Sequence, residues 1–251
     1  MVMDKHRVAL VTGGMGGLGE AICIKLAALG YTVVTTYSPG NTKAAEWLDA
    51  MKQQGLSFRA YACDVADFES AAACVKKVND EVGPVDVLVN NAGITRDMTF
   101  KKMDKANWDA VIKTNLDSCF NMTKQVCDGM AERAWGRIIN ISSVGGQWGG
   151  MLQVHYACAK AGLNNLTRSL AKLYSAQGVL TNTVAAGLVA TDMIANELET
   201  EAGREKVRNI PAGRIAAPDD IARAVAFLVS DDASYITGQT INANGGMYFG
   251  S

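Results

Sequence analysis

The chain of 251 residues contains no run approaching ~18 consecutive apolar residues, the length a helix needs to cross a bilayer, so no membrane span is expected. Its opening residues, Met1-Val2-Met3-Asp4-Lys5-His6-Arg7, lack a long apolar segment. No secretory signal is expected either, and the location read from this is cytoplasmic. Charge of one sign is not in excess. Lysine and arginine number 24 against 25 aspartates and glutamates, a net −1, and nothing global favours nucleic acid or a membrane surface as partner. The six cysteines (Cys23, Cys63, Cys74, Cys119, Cys127, Cys158) include no C-x-x-C pair. They mostly fall in apolar helices and at strand ends, as reduced core thiols do, and no metal site is expected. Cys158, two residues after Tyr156, also admits a reading as a reactive thiol. Linkers, internal repeats and low-complexity stretches are missing too, so residues 1–251 read as a single domain.

What is present is enough apolar material, 49% hydrophobic against 20% charged residues, to fill one full α/β core. Strand-like runs at 7–12, 32–37, 57–62, 85–89, 137–141, 179–185 and 238–242 alternate with amphipathic segments. These lie at about 18–29, 42–54, 67–82, 105–133, 154–177, 192–209 and 218–230. That alternation predicts a doubly wound, Rossmann-type sheet of seven parallel strands with helices on both faces. Ligands in such sheets sit outside the carboxyl ends of the strands. Gly13–Gly19, Asp64, Asn90–Gly93, Ser143 and Gly187 all follow strand candidates, so they converge on one edge.

Two local patterns carry chemistry. After the first strand comes Gly13-Gly14-Met15-Gly16-Gly17-Leu18-Gly19, then a helical pattern from Glu20 to Leu29 closed by Gly30. Glycines let a backbone approach a pyrophosphate, and a helix N-terminus favours its charge; a flexible turn is the plainer alternative. Tyr156 and Lys160 lie four residues apart in Val-His-Tyr-Ala-Cys-Ala-Lys, and on a helix they share a face. A free phenol is a poor proton donor at neutral pH, and a nearby cation favours its ionised form.

The spacing Thr12-Gly13-x-x-x-Gly17-x-Gly19 differs from G-x-G-x-x-G and resembles the loop of the short-chain dehydrogenases/reductases. Asp64-Val65, Asn90-Asn91-Ala92-Gly93, Asn115 and Ser142-Ser143 follow in that family's order, and the resemblance covers the whole chain. It implies that Tyr156 donates a proton to a substrate carbonyl and that Lys160 supports it and holds the nicotinamide ribose. Ser143, thirteen residues before Tyr156, is implied as the group that orients the carbonyl and stabilises the oxyanion. Asn115 is implied to support a water leading from the lysine; a kinking mid-helix asparagine is its plain alternative. The family's cofactor contacts carry over to Gly13, Met15, Gly17, Leu18, Gly19, Tyr37, Asn41, Lys43, Asp64, Val65, Asn91, Ala92, Gly93, Gly187, Val189 and Thr191. Where the family usually has Pro-Gly, the chain has Ala186-Gly187, which keeps the glycine and implies altered loop mobility.

The end of the second strand, Tyr37-Ser38-Pro39-Gly40-Asn41-Thr42-Lys43, has no acidic residue to bind a ribose 2′-hydroxyl, and small hydroxyls, Asn41 and Lys43 suit a 2′-phosphate. NADPH is the expected cofactor. The glycine loop lacks the basic residue of many NADP-selective relatives. The loop Thr12–Gly17, the segment Asn91–Asp97, Trp108–Ile112 and Thr123–Ala131 continuing to Arg137 are similar to the acetoacetyl-CoA reductases of polyhydroxyalkanoate synthesis. That similarity implies an acyl-CoA substrate, with Gln147, Gln153 and Leu188 joining Ser143 and Tyr156 in the substrate pocket. Gly150, Met151 and Leu188 stand where relatives often have bulkier polar or aromatic residues. Two alternatives remain. One is an acyl-carrier-protein reductase docking through Arg96, Lys101, Lys102 and Lys105. The other is a non-catalytic NADP sensor, which the intact Ser–Tyr–Lys set disfavours. Residues 185–217 break the strand–helix rhythm and read as a substrate lid, and the resemblance implies a homotetramer.

Overall fold

Four consecutive buried residues, Val8–Val11, make the first strand (β1) of the protein, seen here in a computed structural model that describes residues 7–191, 194 and 199–250. Six more strands follow: β2 Thr32–Tyr37, β3 Arg59–Ala62, β4 Val85–Asn90, β5 Gly136–Ser143, β6 Val179–Ala186 and β7 Thr240–Ala243. They form one parallel sheet in the order β3-β2-β1-β4-β5-β6-β7, the expected doubly wound topology. Strand order reverses between β1 and β4, the switch point at which such sheets open a crevice for a ligand.

Both faces of the sheet are covered, which explains why its central strands are apolar without alternation. Ala9 and Val11 point into one core with Ile22 and Leu26 of α1 (Gly17–Ala28) and Ile221 and Val225 of a helix at Pro218–Val229. Val8 and Leu10 point into the other, with Val75 and Val78 of Phe68–Glu81 and Met122 and Met130 of Ser118–Glu132. In chain order the helices are α1, α2 (Ala44–Gln53), α3 (Phe68–Glu81), α4 (Lys105–Ile112), α5 (Ser118–Glu132), α6 (Gly145–Trp148), α7 (Val154–Tyr174), α8 (Glu201–Arg208) and α9 (Pro218–Val229).

The structure departs from the sequence reading in four places. The amphipathic segment 105–133 is not one helix: a π-helical turn, Lys113–Asp117, separates α4 from α5. The 144–153 stretch, which lies outside the expected strands and helices, holds the short helix α6. The helix expected over 154–177 ends at Tyr174 and tightens into a 3-10 turn before Gly178 at φ +80°, a left-handed conformation suited to glycine. Of the helix expected over 192–209, Glu201–Arg208 is helical. Thr200 starts it by accepting from the Gly203 amide at 3.0 Å, while 192, 193 and 195–198 lie outside the described residues. Among the described residues no helix is long and apolar enough to cross a membrane. Trp47 stacks on Phe58 and donates to Glu20 at 2.6 Å, and the guanidinium groups of Arg7 and Arg137 lie 3.5 and 4.4 Å from the Trp135 ring centroid. Both are packing residues.

Candidate active site

The switch point is tied together by Thr12. Its Oγ1 accepts from the amides of Asn91 and Ala92, each at 3.0 Å, and the Asn91 amide group donates back to the carbonyls of Thr12 and Gly13 at 3.0 and 3.1 Å. The glycine loop is thereby fixed to the residues after β4. Gly19 admits no other residue, because a Cβ there would lie 2.3 Å from the Gly13 oxygen. Above Gly16 the space is open, with nothing within 4 Å of a Cβ, and α1 begins at Gly17 with no side-chain cap on its first amides. An open crest over a helix N-terminus is the geometry that receives a phosphate.

Other predicted contacts line the same edge. The Asn41 amide group donates to the Met15 sulfur at 4.0 Å, and its oxygen accepts from the Lys43 amide at 2.7 Å, folding the turn that starts α2. Tyr37 aligns the end of β3 by accepting from the Cys63 amide at 2.9 Å. Asp64 is exposed and caps Ala66, while Val65 is buried and its carbonyl accepts from Asn121 at 3.0 Å. Gly187 donates to Ala243 and Val189 bridges to Ala216. The Thr191 methyl stands over the glycine loop, 3.2 Å from where a Cβ at Gly17 would be. Cys23, behind the loop, has its thiol pushed up to about 12 by burial and offers no thiolate there.

Tyr156 and Lys160 share one face of α7, with the Lys160 ammonium 5.4 Å from the Tyr156 ring centroid. Lys160 is 4% exposed, and a buried charge requires a partner; the Ile141 carbonyl on β5 takes one donor at 2.8 Å. An ammonium has three donors. Opposite stands Asn115, whose amide nitrogen donates to Ile94 and Val111 carbonyls at 2.8 and 2.9 Å. Its Oδ1 is buried without a partner, next to Gly93, where a Cβ would lie 2.6 Å from it and 3.8 Å from the Lys160 nitrogen. An orphaned acceptor beside a buried ammonium fits a hydroxyl-bearing ligand or a bridging water. The open glycine crest and this polar pair therefore fit the pyrophosphate and one ribose of a dinucleotide. The π turn serves the same end, since it lets Asn115 bond Val111 one turn back while Oδ1 faces the site.

Ser143 ends β5 with its Oγ accepting from the Gly145 amide at 3.1 Å. Its placement depends on Gly146, which the sequence reading missed: a Cβ there would sit 2.7 Å from the Lys160 carbonyl carbon, so only glycine lets α6 lie on α7. The double glycine at 145–146 was the available signal. The other predicted substrate residues come from α6, the start of α7 and the stretch after β6. Gln147 has its Oε1 buried without a partner. Gln153 donates to Asp97 at 2.7 Å, which ties the segment after β4 to the start of α7. Leu188 lines a cavity of about 220 Å³ with Ile210, Arg214 and Asn242. Cys158 is exposed and the other five cysteines are buried. Among the described residues no group of His, Cys, Asp and Glu is arranged to hold a metal.

Residues 7–202 match the family model for short chain dehydrogenases. The chain is 48% identical over 245 residues to an acetoacetyl-CoA reductase of Cupriavidus necator, covering 98% of this chain and 99% of that protein. Identity is also 48% with an acetoacetyl-CoA reductase of Allochromatium vinosum, over 96% of this chain and 98% of that protein. A 3-oxoacyl-(acyl-carrier-protein) reductase of Vibrio harveyi is 44% identical over 96% of this chain and 97% of that protein.

Proposed function

The chain belongs to the short-chain dehydrogenases, and we propose on that premise that it reduces 3-oxoacyl-CoA, with acetoacetyl-CoA the substrate and (3R)-3-hydroxybutanoyl-CoA the product. It is an oxidoreductase acting on a CH–OH group and uses a nicotinamide cofactor. The observation that carries the chemistry is the buried Lys160 ammonium set 5.4 Å from the Tyr156 ring on one helix face. The substrate rests on the near full-length likeness to two acetoacetyl-CoA reductases.

When bound, the cofactor supplies a hydride to the carbonyl carbon. Gly13, Met15, Gly17, Leu18 and Gly19 would hold its phosphates at the glycine crest. Asp64 and Val65 would hold the adenine, with Asn91, Ala92 and Gly93 in the crevice between. Tyr37, Asn41 and Lys43 would hold the adenosine ribose, and the lack of a carboxylate there favours NADPH over NADH. Gly187, Val189 and Thr191 would hold the nicotinamide. Tyr156 donates its proton to the carbonyl oxygen, a step worth about 10²–10⁴-fold in general acid catalysis. Lys160 stabilises the phenolate left behind, would hold the ribose hydroxyls, gives up a proton that restores the phenol, and is itself reprotonated through a water on Asn115 Oδ1. Ser143 donates to the carbonyl oxygen as charge builds there. Gln147, Gln153 and Leu188 border the substrate. Residues 185–217, of which 192, 193 and 195–198 lie outside the described residues, act as a lid on a single domain. The enzyme works as a cytoplasmic homotetramer supplying polyhydroxybutyrate synthesis.

A carrier-protein substrate is the rival. Of the four basic side chains it would dock on, Arg96 donates to Asn107 at 2.8 Å and Lys105 pairs with Asp109, and a CoA phosphate would use the same groups. The deciding assay follows loss of NADPH absorbance with acetoacetyl-CoA beside acetoacetyl-acyl-carrier protein, with NADH as control. Higher kcat/KM on the CoA thioester is expected. A clear preference for the carrier protein would move the enzyme to fatty-acid synthesis, and no turnover of either would remove the proposal.

A further inference from the structure

The C-terminal tail and the segment between β5 and α7 meet beside the site, in a contact that the proton chemistry does not use. Trp148, the last residue of α6, packs on Tyr248 with ring centroids 6.5 Å apart and planes at 90°, the edge-to-face arrangement aromatic rings favour. α6 is seated directly on the helix that carries Tyr156 and Lys160, through Gly146. The tail is equally well built. Asn244 is 5% exposed, donates to the Tyr248 carbonyl at 3.1 Å and accepts from the Gly246 amide at 3.0 Å. This turn crosses the carboxyl end of β6, where a Cβ at Gly187 would lie 2.9 Å from the Asn244 Cα and 3.0 Å from the Met247 sulfur. Tyr248 is thus held by the fold, and Trp148 is braced by Tyr248.

Trp148 is 53% exposed, and beside it in sequence Met151 and Leu152 are 93% and 50% exposed. A ring that open does not plug an enclosed cavity; it is an apolar platform facing water, a kind of surface that marks a binding site. The segment after β4 is fastened to this lip by Met98 N–H donating to the Leu152 carbonyl at 2.8 Å, and it carries exposed Arg96, Lys101 and Lys102. One side of the mouth therefore suits the phosphates of a CoA thioester and the other its acyl chain. Resting on the 3-oxoacyl-CoA reading above, we infer that Trp148 is a specificity-determining residue whose ring carries the acyl chain beyond the fourth carbon. Tyr248 is the positioning residue that holds the ring in place. A four-carbon chain is too short to use the platform, whereas each methylene that reaches it gains on the order of fourfold in affinity.

Isothermal titration with butanoyl-, hexanoyl- and octanoyl-CoA, which have no 3-oxo group to reduce, reads the platform without turnover. Values of kcat/KM for the 3-oxo counterparts read it in catalysis. The whole protein is expected to bind octanoyl-CoA at least ~10-fold more tightly than butanoyl-CoA. Trp148→Ala flattens that dependence while acetoacetyl-CoA kinetics stay within about threefold, since the burial gain comes only from methylenes that reach the ring. Tyr248→Ala flattens it likewise, and Tyr248→Phe, which keeps the ring, preserves it. An unchanged length dependence in Trp148→Ala, or an equal loss at every length, overturns the inference. If the wild-type enzyme reduces acetoacetyl-CoA but gains nothing with chain length, this inference alone falls. If it neither binds nor reduces any of these thioesters, the functional reading falls with it.

Discussion

At the residue scale the proposed chemistry turns on one phenol and one ammonium. Tyr156→Phe removes the proton donor and little else, so kcat is expected to drop by about 10²–10⁴ with cofactor binding retained. Stopped-flow reduction beside NADPH fluorescence titration checks both halves; retained turnover would assign the proton to another group. The pair was legible in sequence because spacing of four on a helix fixes a shared face. What holds Lys160 was not. Its hydrogen-bond partner is the backbone carbonyl of Ile141, and a carbonyl acceptor leaves no mark on residue identity. Asn115 was legible by its place in the motif order, whereas its orphaned Oδ1 emerges only once the π turn aims it at Gly93.

Elements set that geometry, and two of their contacts are open to test. In Gly146→Ala the new Cβ would fall 2.7 Å from the Lys160 carbonyl carbon and 2.8 Å from its Cβ, so α6 must lift off α7 and carry Ser143 with it. Expected are a stability loss of about 1–3 kcal/mol, as for other overpacked sites, and a fall in kcat of tenfold or more. Denaturant unfolding and steady-state kinetics measure the two, and a fully active variant would show that α6 does not position Ser143. At the start of α9, Asp220 accepts from Arg214 at 2.6 and 3.0 Å and from the Ala217 amide at 2.8 Å. The guanidinium first, then the amide, hold its carboxyl down at about 2. A carboxylate depressed in the folded state stabilises fully above its unfolded value, near ~4, and loses that contribution as pH falls toward the folded one. Asp220→Asn should therefore lower Tm at neutral pH, and the gap to the wild type should close between about pH 4 and pH 2. A gap independent of pH would make the cap, rather than the charge, its source.

For the whole molecule, assembly is the open quantity. Phe68 and Phe120 are 40% and 52% exposed and stack with centroids 6.1 Å apart. They border a cavity of about 420 Å³ that Leu116 and Leu166 also line. Apolar surface of that kind favours cover by another copy in a symmetric oligomer. If the proposed homotetramer uses it, Phe120→Glu should give a smaller species in sedimentation equilibrium. An unchanged mass would place the contacts elsewhere.

Fold class and the edge that carries the site follow from the sequence alone. Alternating apolar runs of strand and helix period permit few topologies, and a doubly wound sheet delivers every strand's carboxyl end to one rim. Tertiary structure decided what periodicity cannot express. It placed the π turn inside an unbroken amphipathic pattern and seated α6 on α7. It also bound Gln153 to Asp97 and brought Tyr248 against Trp148, a hundred residues earlier. Such contacts depend on distances between segments far apart in the chain, and those are set by packing rather than by local residue preference.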